Sequence, residues 1–174
     1  MVEMKEYTFR QKIRPFMRGF LVGGPLVEVA LEGLRRGVGE PLASEYESKV
    51  AQKGNTRQIC AALRLGLGAE AEDRLAAAYA KRYALEKDRE ATHIVPAASI
   101  HVPVYIDMRP RFAAISMWEV ADLLSEGKVA SHKAQDGFAA MVIAEGNRNH
   151  AEKILASGKV GSGKAIALLQ AKLG

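Results

Sequence analysis

Leu123-Leu124-Ser125-Glu126-Gly127-Lys128-Val129-Ala130-Ser131-His132-Lys133-Ala134 is echoed 31 positions on by Ile154-Leu155-Ala156-Ser157-Gly158-Lys159-Val160-Gly161-Ser162-Gly163-Lys164-Ala165. A shorter echo stands earlier in the chain, where Leu34-Arg35-Arg36-Gly37-Val38-Gly39 matches Leu63-Arg64-Leu65-Gly66-Leu67-Gly68, 29 positions on. All four sites read Leu-x-x-Gly followed shortly by Val or Leu. Helices commonly finish on a left-handed glycine with an apolar residue after it, so the simplest reading is four helix ends. The alternative is a set of helix-turn-helix units stacked as helical repeats, whose periods lie in this range. Either way the chain is expected to contain several antiparallel helix hairpins with tight turns.

The flanking residues supply the matching helix starts. Thr8 with Gln11 reads as a capping box, followed by an apolar stripe of Phe9, Ile13, Phe16, Met17 and Phe20 in which Pro15 predicts a kink or a fresh start. Pro25 is placed to open a helix through about Arg36, Pro41 one to about Lys53, and Asn55 caps another that carries Ile59, Cys60 and Leu63. Ala69 to about Asp88 is the longest helical stretch. Ser116 with Glu119 forms a second capping box, and further helices are expected from Ser131 to Glu145, Asn149 to Ala156 and Ser162 to Leu173.

Between these halves the period changes. Ile100, Val102, Val104 and Ile106 alternate with period two, which is a strand pattern, although Pro103 cannot donate to a ladder. The expected fold is therefore mainly α: antiparallel helical hairpins in one compact domain spanning residues 1–174. One extended or edge-strand segment near residues 93–112 would join halves at about 8–90 and 113–174.

Composition removes several classes of protein. The chain has 174 residues, 48% hydrophobic and 26% charged, with a formal net charge of +5. One cysteine excludes an intramolecular disulfide framework and a Cys-rich zinc module. No apolar run approaches the roughly 20 residues of a membrane span. The charged opening Met1-Val2-Glu3-Met4-Lys5-Glu6 is unlike a signal peptide, which predicts a cytoplasmic protein.

Motifs for chemistry are weak. Gly158-Lys159-Val160-Gly161-Ser162-Gly163-Lys164 fits G-x-x-x-x-G-K, but Ala165 stands where the metal-binding hydroxyl belongs and a helix, not a strand, is expected before it. His101, Tyr105 and Asp107 share a parity, so a regular strand would put them on one face, but six residues separate His101 from Asp107. His132 and Asp136 make an i,i+4 pair, too few ligands for a zinc site. Cys60 sits among core residues. No metal and no cofactor is implied.

Charge is the remaining feature. Arg10, Arg14 and Arg18 lie four apart beside the apolar stripe; Arg35 and Arg36 end the next helix; Arg148, Lys153, Lys159 and Lys164 crowd the C-terminal tract. A basic stripe is the footprint of a phosphate-backbone binder. The expected function is a non-catalytic basic helical subunit contacting nucleic acid, within a larger assembly that supplies protein partners. The alternative is a helical adaptor whose Arg10/Arg14/Arg18 row meets an acidic protein partner. An enzyme using His101, Tyr105 and Asp107 is third.

Overall fold

The computed structural model describes residues 24–90, 93–95 and 104–174. The expected capping box at Thr8 and the stripe and arginine row after it lie outside the described residues. What is described is predominantly α-helical. The helices are α1 Gly24–Arg35, α2 Leu42–Lys53, α3 Thr56–Leu63, α4 Ala69–Arg89, α5 Arg109–Ser125, α6 His132–Glu145, α7 Arg148–Ser157 and α8 Gly163–Ala171.

The starts and stops have local causes. Asn55 accepts a hydrogen bond from the Gln58 N–H at 2.9 Å, and the Gln58 side-chain oxygen accepts from the Asn55 N–H at 3.0 Å, a reciprocal box that opens α3. Asn147 and His150 build the same box at α7, which therefore starts at Arg148, one residue before the expected Asn149. Gly37, Gly66, Gly127 and Gly158 all have left-handed φ, from 62° to 68°, just past the ends of α1, α3, α5 and α7. After α5 the Lys128 N–H reaches the Leu123 carbonyl at 3.0 Å and the Gly127 N–H reaches Leu124 at 3.2 Å, which pairs carbonyls that the helix end leaves free.

Two expectations fail between α4 and α6. The extended edge-strand segment is not what the described residues form. Instead β1 (His93–Val95) and β2 (Val104–Ile106) are three-residue strands paired antiparallel with each other, His93 opposite Ile106 and Val95 opposite Val104. Pairing two short strands satisfies backbone groups that a lone strand would leave open. Helix α5 then begins at Arg109, not at the Ser116–Glu119 box. Pro110 falls in its first turn, where the missing N–H costs nothing. Ser116 is consequently buried in mid-helix, and its carbonyl accepts from the Tyr79 hydroxyl at 3.3 Å.

Each helix packs on the next and the next but one, and substantial contacts among the described residues reach no further. The odd helices α1, α3, α5 and α7 thus form one row and the even helices α2, α4, α6 and α8 the other. One apolar cluster runs between the rows from Val27 and Leu31 through Ile59, Leu75 and Val120 to Ile154 and Leu169. At its centre Phe138 meets the Tyr79 ring edge-on at 5.5 Å, and Tyr83 and Phe112 stack at 5.6 Å.

In the even row each step is also locked by polar groups near a helix start. On α2, the buried Glu47 carboxylate takes the Arg74 Nε–H of α4 at 2.9 Å. On α4, the Glu72 carboxylate accepts the Ala130 and Ser131 N–H groups at 2.8 and 2.7 Å, and Asp73 accepts from the Ser131 hydroxyl. On α6, Gln135 accepts the Gly161 and Ser162 N–H groups at 3.0 and 2.8 Å, and Asp136 accepts from the Ser162 hydroxyl. The last two steps are one device used twice. Replacing Glu72 by Ala strands two N–H groups at about 1–3 kcal/mol each, so urea unfolding should show a loss of about 2–6 kcal/mol. Glu72→Gln should cost distinctly less, because Gln135 performs the same task. Gly158→Ala meets no atom within 4 Å, so its cost should be purely conformational, about 1–2 kcal/mol.

Candidate interaction surface

The outward side of the odd row is built on the heptad-like spacing of α5. Ile115 and Trp118, three residues apart, are 44% and 40% exposed, while Met117, Val120 and Leu124 on the opposite side are buried. Two large apolar side chains side by side on one helix are a surface feature that needs a reason.

Around them the charged groups already have partners on neighbouring helices. Gln58 of α3 donates to Glu28 of α1 at 2.7 Å. Arg57 and Arg64 of α3 and its C-terminus approach Glu119 and Glu126 of α5 at 3.7 and 3.6 Å. Lys153 of α7 binds Asp122 of α5 and lies 5.4 Å from the Trp118 ring centre. The Trp118 ring also rests on His150, with centroids 4.3 Å apart. Glu119 is half-sheltered, and burial holds its carboxyl above the usual range in spite of Arg57 and Arg64.

The basic residues picked out in the sequence are spread over the structure. Arg10, Arg14 and Arg18 lie outside the described residues. Arg35 and Arg36, at the end of α1, both pair with Glu32, the latter at 2.7 Å. Arg148 pairs with Glu152 at 2.8 Å, Lys153 with Asp122, and Lys164 with Asp136 at 4.0 Å. Lys159 packs its stem against Gly127. Arg148, Lys153, Lys159 and Lys164 fall together on α7 and the start of α8; Arg35 and Arg36 belong to the other end of the helix succession. A cation paired with a carboxylate offers little net field to a phosphate backbone.

The third grouping fares differently. His101 lies outside the described residues, and Tyr105 stands opposite Ile94 in the β1–β2 pair. Asp107 is held by Arg109 through contacts of 2.8 to 3.1 Å, and those hydrogen bonds keep its carboxyl below the usual range. Asp136, paired with His132 in the sequence reading, is occupied by the Ser162 hydroxyl. The Gly158–Lys164 string joins helix α7 to α8, with Ser162 as the cap.

A cleft of about 470 Å³ between α4 and α6 is floored by Ala80, Ala84 and Met141 and rimmed by the Lys87–Glu145 salt bridge at 2.6 Å. Tyr83 lines it, and burial, then the Glu145 charge, push its phenol pKa up, so the hydroxyl stays protonated. Nothing there pairs a nucleophile with a base.

Sequence reading missed both the Glu72–Asp73 and Gln135–Asp136 locks and the Trp118–His150 contact. The Ser-x-Lys-Ala strings at Ser131 and Ser162 were the available sign of the locks. No family model, no curated protein and no solved structure matches the chain.

Cys60 is buried, and burial, reinforced by Glu119, pushes its thiol up to about 12. Thiol-specific reagents at neutral pH should therefore label the folded chain at least about a hundredfold more slowly than the urea-unfolded chain. Equal rates would show that the thiol is accessible.

Proposed function

We propose that this chain is a non-catalytic helical adaptor that docks another protein along the odd row, with Ile115 and Trp118 as the apolar centre of the contact. The observation that carries the reading is the packing order. Among the described residues the helices make substantial contacts only with neighbours and next neighbours; such an order builds a quasi-one-dimensional stack, and such stacks present extended faces to partners. On this reading α1/α2, α3/α4, α5/α6 and α7/α8 are stacked antiparallel hairpins within one domain. An apolar centre with a polar rim is the usual anatomy of a protein interface, and exposed Trp is favoured at its centre.

The rim charges are paired within the chain, so the partner meets a nearly neutral surface at α5 and needs a complementary apolar anchor. The Arg10/Arg14/Arg18 row would meet acidic residues elsewhere on the same partner. Contact with a nucleic-acid backbone is the competing reading, and it draws on those three arginines with Lys159 and Lys164.

The two separate in one experiment. A photoreactive amino acid is placed at position 115 and, in a second variant, at 159, and adducts are formed in cells. The adaptor reading expects a discrete protein adduct from position 115, and binding of that purified partner weakened about tenfold or more by Ile115→Asp, equivalent to about 1.4 kcal/mol. Nucleic-acid adducts from position 159, with salt-dependent binding of unrelated DNA or RNA sequences, would replace the adaptor reading by the nucleic-acid one.

A further inference from the structure

His150 is a titratable group in a structural position. It stands at the third residue of α7, is 1% exposed, and its Nδ1 accepts the Asn147 N–H at 2.9 Å. Asn147 in turn accepts the His150 N–H at 3.2 Å, which closes the capping box. Because Nδ1 accepts, the neutral ring carries its proton on Nε2, and Nε2 is buried without a hydrogen-bond partner among the described residues. The ring lies on Trp118 of α5, whose other neighbour is Lys153.

We propose that His150 is an acid-sensitive joint between α5 and α7: protonation of its imidazole opens the α7 cap and loosens Trp118. This inference does not depend on the adaptor reading. A proton added at Nδ1 converts the acceptor into a donor facing the Asn147 N–H, so the box loses one of its two bonds. The new charge would also sit buried, at the positive end of the α7 dipole. Of the charged groups at this contact, Lys153 on the same helix pairs with Asp122 of α5, and Glu119 of α5, next to Trp118 in sequence, has its carboxyl raised by burial. Burial outweighs the Asn147 contact and holds the ring's pKa below the ordinary 6.5.

The direction of the pH effect follows. The unfolded chain takes up this proton near pH 6.5, while the folded chain takes it up only at a lower pH. Stability from this group is complete above 6.5 and is lost as pH falls through the window between the two values.

The structure contains its own non-titrating version of the box: at α3 the third residue is Gln58, making the same two bonds. His150→Gln should therefore keep the cap and remove the titration. The test follows the emission of Trp118, the chain's single tryptophan, and the urea midpoint of the full-length protein between about pH 7.5 and pH 5. The wild type should show a shift in emission and a fall in midpoint over one transition below 6.5, and His150→Gln should lack that transition. The same pH dependence in both proteins, or none in the wild type, would overturn the proposal. If the variant fails to fold, the His150 Cε1 proton is titrated by NMR in the wild type. A midpoint below 6.5 that coincides with the Trp118 transition supports the joint; a midpoint at or above 6.5, or one unrelated to Trp118, overturns it.

Discussion

Every helix begins with backbone N–H groups that its own turns cannot pair, and in this protein the starts of α6 and α8 are paired by the helix two places earlier. The Glu72 carboxylate takes the two N–H groups entering α6, and the Gln135 amide takes the two entering α8. Both acceptors are almost fully buried, so water cannot take their place. The consequence is directional. Helices α4 and α6 are each fixed by the even helix before them and, through residues four and five places after their own caps, fix the even helix that follows. The odd row is tied by softer surface contacts, Arg57 to Glu119 and Asp122 to Lys153.

The two rows thus divide the work. The even row holds the spacing of the stack through buried polar locks, and the aromatic contacts from Phe138 to Phe112 seal it to the core. The odd row is left free to carry Ile115 and Trp118 outward, and its largest side chain rests on a histidine whose hydrogen bond caps the adjoining helix. On the proposed adaptor reading, a docking face over a titratable cap would join recognition and stability at one place in the fold.

Much of the fold was legible because helix punctuation is local. Gly37, Gly66, Gly127 and Gly158 follow their helices by one to three residues, and Asn55, Ser131 and Ser162 cap theirs, all through bonds between residues close in sequence. The start of α5 was misread because two local signals competed: Ser116–Glu119 looked like a cap, but Pro110 already provides a first turn. The locks were not legible, since Glu72 and Ser131 are 59 residues apart and an acidic pair at a helix start ordinarily signifies nothing beyond the helix dipole. Basic side chains misled in the opposite way. Counting them gives +5, but it does not reveal that Arg36, Arg148 and Lys153 each have a carboxylate within reach. The exposure of Trp118 was not legible either, because it depends on which neighbours α5 packs against and not on residues close to it in sequence.

Coupling between neighbours, in place of one indivisible core, is the central claim, and native-state hydrogen exchange on the full-length chain tests it most directly. Among the described residues helix α8 makes its substantial contacts with α6 and α7, whereas α4 has neighbours on both sides. The amides of α8 should exchange through partial openings of distinctly lower free energy than those of α4 and α5, with α7 between them. A single opening free energy shared by α4, α5, α7 and α8 would contradict the account.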